Sequence, residues 1–481
     1  MVSFLIALAI LVGGYFIYGS LMDRMIGTDK NRPVPAYTKR DDVDFMPMPT
    51  WKVFLIQFLN IAGLGPIFGA IMGIMFGPAA FLWIVLGTIF AGAVHDFLSG
   101  VISIRMGGAS LPEIVGHELG VSVKQIMRGF SVLLLVLVGV VFVVTPADLL
   151  AGLSAEWLDK TVWVWIILGY YILATVLPID KLIGNLYPLF GLSLLFMALG
   201  LLAFLIFGPV EIPSDFGSGL ANRFVDETGS HPIFPMMFVS IACGAISGFH
   251  ATQSPMMARC LKNEKLARPI FYGAMVAEGI VALIWAAAAI AFTGGYEELN
   301  AYMASHGNSA GALVEEISFT WLGTAGGILA ILGVIAAPIS TGDTALRSAR
   351  LIVADFMKIP QQTIVKRLLI SIPLFVAVFL LMMIDFSVLW RYFAWANQTL
   401  AVFTLWAVTV YLARHKKAYI LTLLPSMFMT AVSVSYLLYA RRPEGIGLDL
   451  PIAVGVGIAS ATILLMLFLR YMRGLKNQPA F

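Results

Sequence analysis

Apolar runs of about 20 residues, each long enough to cross a bilayer as a helix, recur along almost the whole chain. They fall at 2–20, 51–76, 79–105, 126–149, 161–177, 183–207, 233–260, 269–292, 312–341, 364–384, 388–413, 418–439 and 450–471. The pattern predicts thirteen helical spans joined by short polar connections. In the connection after the third span, Ser110 precedes Glu113 by three residues with Pro112 between them. That spacing predicts a capping box opening a short interfacial helix.

Two spans carry helix-breaking residues where a membrane helix should be most regular. "NIAGLGPIFGA", from Asn60 to Ala70, holds Gly63, Gly65, Pro66 and Gly69. Pro66 removes a donor and clashes with the preceding turn, freeing carbonyls around Ala62 and Gly63. "CGAISGFHATQSP" holds Gly244, Gly248 and Pro255 together with Ser247, His250, Thr252, Gln253 and Ser254. Unpaired backbone at bilayer depth is tolerated only where protein or a water-filled cavity surrounds it. These are spans two and seven, so the second break enters the membrane inverted relative to the first. Paired breaks in inverted halves point to a transporter's binding site. Close packing of glycine-bearing helices is the structural alternative.

Composition agrees with the pattern. Of 481 residues, 60% are hydrophobic and 12% charged, about half the charged fraction of soluble domains. The chain therefore reads as a polytopic membrane protein in a lipid bilayer. The net charge of +3 says little by itself. With the N-terminus outside and the C-terminus cytoplasmic, about 25 of the 30 Lys and Arg residues fall on the cytoplasmic side, as the positive-inside rule requires. The N-terminal run lacks a basic leader and reads as a retained helix. Two cysteines, Cys243 and Cys260, give no disulfide framework. No basic cluster suggests nucleic acid. No nucleotide-binding, zinc or nucleophile-elbow motif is found, so no enzyme activity and no cofactor are expected.

Ionisable groups at bilayer depth are costly and serve as functional candidates. His95 and Asp96 on span three border a stripe with Gly92 and Ser99; the pair suits proton carriage or a hydrogen-bonded packing contact. His250 lies in a predicted break and is a ligand-contacting or proton-linked candidate. Glu278 on span eight is either a second proton site or the partner of an inner basic residue. Ser340 and Thr341, near the end of span nine, offer hydroxyl oxygens to a cation or to packing. Asp343 and Arg347 are spaced for an intrahelical pair, with Arg347 read as a solvated helix end. Asn397 and Gln398 in span eleven read as helix-helix glue. His95, Asp96 and His250 make a metal site only if they converge.

The stretch from Gly63 to Gly120, "GLGPIFGAIMGIMFGPAAFLWIVLGTIFAGAVHDFLSGVISIRMGGASLPEIVGHELG", resembles the signature region of the carbon starvation protein A (CstA) family. "GFHATQSPMMARC", "APISTGDTALRSARLIVAD" and "WRYFAWANQTLA" resemble its other motifs, and the length resembles its shorter branch. The resemblance implies a transporter of the bacterial or archaeal inner membrane, with members linked to peptide uptake in carbon starvation or to proton-coupled pyruvate uptake. It also implies an all-α, five-plus-five inverted-repeat (LeuT-like) core within a single transporter domain, 1–481. The repeats would be 51–207 and 233–413, flanked by one extra N-terminal helix and two C-terminal helices in 414–481. A cation site would pair Ala62–Gly65 with Ser340 and Thr341.

Together these readings predict a secondary active importer of a small carboxylate-bearing nutrient, driven by protons or sodium. Its substrate-binding candidates are Asn60, Gly63, Gly65, Pro66, Ser247, Gly248, His250, Gln253 and Ser254. Its ion or proton candidates are His95, Asp96, Ala62, Ser340, Thr341, Asp343 and Glu278. The alternatives are a membrane nutrient sensor without transport and a divalent-metal transporter. Oligomeric state is open.

Overall fold

The computed structural model describes residues 1–476 apart from 156, 177–182, 214–218, 227–228, 385 and 443. Among the described residues, ten helices of 18 to 48 residues are long and apolar enough to cross a membrane. An eleventh span is the pair Thr50–Ile61 and Gly65–Ile74, bent by 54°. The other two predicted spans are the helix Lys160–Val176 and a chain of short pieces ending in His250–Ala258. Every predicted span thus has a helical counterpart. The connection after span six adds a two-residue hairpin, Val225–Asp226 against Gly229–Ser230.

Helices one, ten and thirteen (Val2–Ile26, Ile364–Leu381 and Leu450–Lys476) lie at the periphery with large apolar side chains exposed, the expected state of lipid-facing surface. Spans two, three, seven and eight form the interior. There, small residues let backbones approach, and van der Waals contact replaces the hydrophobic drive that lipid cannot supply. Gly92 of span three shows how close: a Cβ there would sit 2.2 Å from the Ala245 carbonyl oxygen.

Two expectations are corrected. The short helix Leu111–Leu119 forms with Ser110 at its N-cap, but the Ser110 side chain makes no capping bond. Glu113 instead pairs with Lys124 and, at 2.6 Å, with Arg128. Two full charges in the next helix outcompete one backbone N–H.

Span nine does not end near Thr341. Its helix runs Ala310–Met357, kinked at Gly323 with φ 65°, a conformation glycine tolerates without penalty. Arg347, read from the sequence as solvated, is fully buried, as are Asp343 and Arg350. The apolar window missed this because charge usually marks the membrane edge. Here Asp44, from the connection between spans one and two, reaches inward to Arg347 (3.2 Å) and Arg350 (3.4 Å). A buried arginine persists when its charge is paired and its donors are used. Arg347 also donates to the Ala174 carbonyl, and Arg350 to Gln361 at 2.6 Å.

Candidate functional site

The break in span two follows from its sequence. Helix Thr50–Ile61 stops at Ala62, whose φ and ψ of −80° and 50° are not helical, and resumes as one wide turn, Gly65–Gly69, with Pro66 in its first turn. Span seven stops at Ala245, passes through Ile246 in extended conformation (φ −158°, ψ 135°), and resumes at His250. The two spans run antiparallel against each other along their length. Gln57 Nε2 lies 3.5 Å from Ser254 Oγ on one side of the breaks. On the other side, a Cβ at Gly65 would lie 2.1 Å from Cβ of Cys243, and one at Gly69 would lie 2.7 Å from the Ser240 carbonyl oxygen. Glycine at 65 is thus a condition of the contact, and the breaks face each other.

Span eleven secures the unwound part of span seven. Asn397 Oδ1 accepts from Ser247 Oγ at 2.9 Å and from the Phe249 amide at 2.7 Å. The Asn397 carbonyl accepts from the Gly248 amide at 3.2 Å. Gln398 Nε2 donates to the Ile246 carbonyl at 3.3 Å. The two amides are glue, as their sequence context suggested, and what they hold is backbone without helical partners. Ser247 and Gly248 therefore lean on Asn397.

Four titratable side chains, all fully buried, meet beside the breaks. His95 Nδ1 lies 2.8 Å from Asp96 Oδ1, and His250 Nδ1 lies 3.0 Å from Asp96 Oδ2. His250 Nε2 stands 3.4 Å from Glu278 Oε2. The chain His95–Asp96–His250–Glu278 joins span three through span seven to span eight. His95, Asp96 and His250 do converge, yet no group of three or more His, Cys, Asp or Glu residues with a metal-holding arrangement is found among the described residues. Glu278 faces His250; no Lys or Arg reaches it within ion-pair distance among the described residues.

The cation candidates form a second cluster. Thr341 Oγ1 lies 2.9 Å from the Leu59 carbonyl oxygen and 2.8 Å from that of Ala337, and Ser340 Oγ lies 2.7 Å from the same Ala337 oxygen. A Cβ at Gly63 would come within 3.2 Å of Thr341 Oγ1. Span nine thus meets span two at its break. Asp343 points elsewhere, with Tyr170 of span five donating to its Oδ2 at 3.4 Å. The Asn60 side chain is fully buried with neither polar atom hydrogen-bonded among the described residues, and Gln253 Oε1 is likewise unpaired.

Three contributors were not singled out from the sequence. Gln57 joins span two to Ser254, Thr88 donates to the Gly244 carbonyl at 3.0 Å, and Asp44 pairs with two arginines. Gln57 was legible as a buried amide one turn before Asn60. Asp44 lies in a polar connection with many charges, where nothing local marks it.

With this geometry in hand, likeness to known proteins is informative. The family model for the carbon starvation protein CstA matches residues 1–158 and 150–325. The chain belongs to the CstA family. An uncharacterized membrane protein of Haemophilus influenzae is 44% identical over 339 residues, 61% of this chain and 91% of that protein. The peptide transporter CstA of Escherichia coli K12 is 28% identical over 354 residues, 60% of this chain and 50% of that protein. The pyruvate/proton symporter BtsT of the same organism is 27% identical over 329 residues, 56% of this chain and 46% of that protein. The chain thus spans about half the length of these two transporters. Among solved structures, a substrate-bound, outward-open Na+-coupled sialic acid symporter superposes with a TM-score of 0.50 at 15% identity, covering 95% of this chain and 96% of that one. The fold is LeuT-like, the family is one of membrane transporters rather than enzymes, and the protein is a multi-pass membrane protein.

Proposed function

We propose that this protein is a proton-driven secondary importer of a small carboxylate-bearing nutrient, a peptide or a pyruvate-like acid. One observation carries the reading: the buried chain His95–Asp96–His250–Glu278, which spans three helices and ends beside the two facing breaks. A histidine between two carboxylates takes up and passes on a proton without leaving a bare charge in the low-dielectric interior. The relatives named as a peptide transporter and a pyruvate/proton symporter support the substrate class and the ion.

In this reading the substrate lies between Gly63–Pro66 and Ser247–Ser254. Its carboxylate meets the helix N-terminus at His250, where the macrodipole favours an anion, with Gln253 and Asn60 as further donors. The repeats 51–207 and 233–413 rock against each other to expose the site to either side. The basic connections support a C-terminus on the cytoplasmic side of a prokaryotic inner membrane.

A second reading, sodium coupling, rests on the oxygen cluster of Thr341, Ser340, Leu59 and Ala337 where span nine meets the span-two break. Reconstitution separates the two. Proteoliposomes are tested for counterflow and accumulation of labelled dipeptides, pyruvate and divalent metals under separate proton and sodium gradients. Accumulation that collapses when the proton gradient is abolished supports the proposal. Collapse on removal of sodium alone favours the second reading, and binding without accumulation indicates a sensor.

A further inference from the structure

Within that importer reading, we propose that Glu278 is the receptor for a primary ammonium group, so that the substrate is an amine-bearing acid such as a peptide with a free N-terminus.

Glu278 is fully buried, and neither carboxylate oxygen has a hydrogen-bond partner among the described residues. It differs in this from Asp96, whose two oxygens are taken by His95 and His250. The interior arginines do not serve it. Arg347 and Arg350 meet Asp44, and Arg105 meets Glu264 at 2.6 Å. The neighbouring titratable groups are His250, whose Nε2 is 3.4 Å away, and Cys243 of span seven, with Asp96 beyond His250. A lone carboxylate at this depth needs a proton or a cation. In the substrate-free protein, a proton shared with His250 meets that need; the described residues around it do not make a metal-ligand set, and an organic ammonium is the cation its two oxygens would take.

Its position fits such a ligand. Glu278 lies one helical turn before Ala282, whose Cβ would be 2.7 Å from a Cβ built on Gly244, and Gly244 in turn faces Cα of Pro66 at 3.8 Å. Next to Glu278, Gly279 is covered by Thr88, the residue that bonds the Gly244 carbonyl. Glu278 therefore lies about one helical turn from the point where the two breaks meet. The ammonium supplies three N–H donors on a full charge, and Glu278 supplies two free acceptor oxygens. A neutral Glu278 gives up its proton on binding. The proton moves to His250 Nε2, leaving an imidazolium between the Glu278 and Asp96 carboxylates, with no proton gained or lost. Amine binding and loading of the proton chain then become one event.

The test uses the purified full-length protein in detergent, with ligand binding read by thermal shift. The probes are alanyl-alanine, N-acetyl-alanyl-alanine and pyruvate. Acetylation removes the charge and leaves the rest of the peptide intact. The wild type is expected to bind the free dipeptide about tenfold to a hundredfold more tightly than the acetylated one, the range for a charged hydrogen bond. Glu278→Gln, which mimics the neutral acid, is expected to erase that preference, while Glu278→Asp keeps it at lower affinity. Equal binding of both dipeptides by the wild type overturns the proposal without any variant. Retention of the preference in Glu278→Gln overturns it too. Binding of pyruvate alone overturns the role of Glu278 yet leaves an importer, whereas failure of all three solutes to accumulate in vesicles removes the importer reading itself.

Discussion

His250 Nδ1 lies 3.0 Å from Asp96 Oδ2, both side chains fully buried, and this contact ties the resumed half of span seven to span three. The hydrogen bond links the element that unwinds at the proposed substrate position to the element that carries a second histidine. In the proposed mechanism it lets movement at the break be felt by the proton chain.

Asp96→Asn and His250→Ala are expected to cut pH-gradient-driven accumulation by about a hundredfold, the lower end of what a proton-transferring group contributes. Solute counterflow, which needs no net proton movement, is expected to persist in Asp96→Asn, whereas His250→Ala, at the proposed substrate position, is expected to weaken it too. His95→Ala is expected to be milder, since His95 is the end of the chain and its Nε2 has no partner among the described residues. Full accumulation in both Asp96→Asn and His250→Ala would remove the chain from the coupling route.

Gly65→Ala places a methyl group 2.1 Å from Cβ of Cys243. Overpacking of this kind costs about 1–3 kcal/mol, visible as a lower melting temperature in detergent. Adding Cys243→Gly removes the colliding atoms and is expected to restore part of the loss. A double variant no more stable than Gly65→Ala would mean that the spans do not touch there.

Burial alone would raise the Asp44 carboxyl, but Arg350, Arg347 and Arg259 together hold it below its ordinary range. Its folded value lies below its unfolded one, so its contribution is complete above the unfolded value and is lost as pH falls through the folded one. Asp44→Asn, which strands two buried arginines, is expected to cost about 3–5 kcal/mol at neutral pH. The gap between variant and wild type should stay flat from pH 5 to 8 and narrow only below about pH 4, as thermal-shift measurements across pH would show. A gap that widened in acid would contradict the pairing.

Thr341→Val keeps the shape of the side chain and removes the hydroxyl that touches Leu59 of span two. If uptake responds to sodium, this variant is expected to lose that response and keep its response to a pH gradient. Sodium stimulation unchanged in Thr341→Val would exclude the hydroxyl cluster as the cation site.

Much of the site was visible in the chain because its chemistry is expensive in lipid. Gly63, Gly65 and Pro66 cannot sit in a lipid-facing helix, and His95, Asp96, His250 and Glu278 cannot sit there unpaired, so each announced itself. Partners were less legible. Glu278, which the sequence leaves as either a second proton site or the partner of an inner basic residue, faces His250. Arg347 was read as solvated and is buried against Asp44, some 300 positions earlier in the chain. A charge in a window signals a membrane edge, and only the fold reveals that a distant carboxylate cancels it.

The sequence by itself determined the thirteen helical spans, the polar connections between them and the two places where helix is interrupted, because each follows from the cost of exposing charge or backbone to hydrocarbon. The tertiary structure alone decided that the interruptions face each other, that Asn397 ties down the unwound backbone, and that four titratable groups from three helices form one chain. Those are contacts between residues up to 197 positions apart, as between Gln57 and Ser254. Periodicity along a chain carries no information about which helix lies beside which; close packing of side chains in three dimensions does.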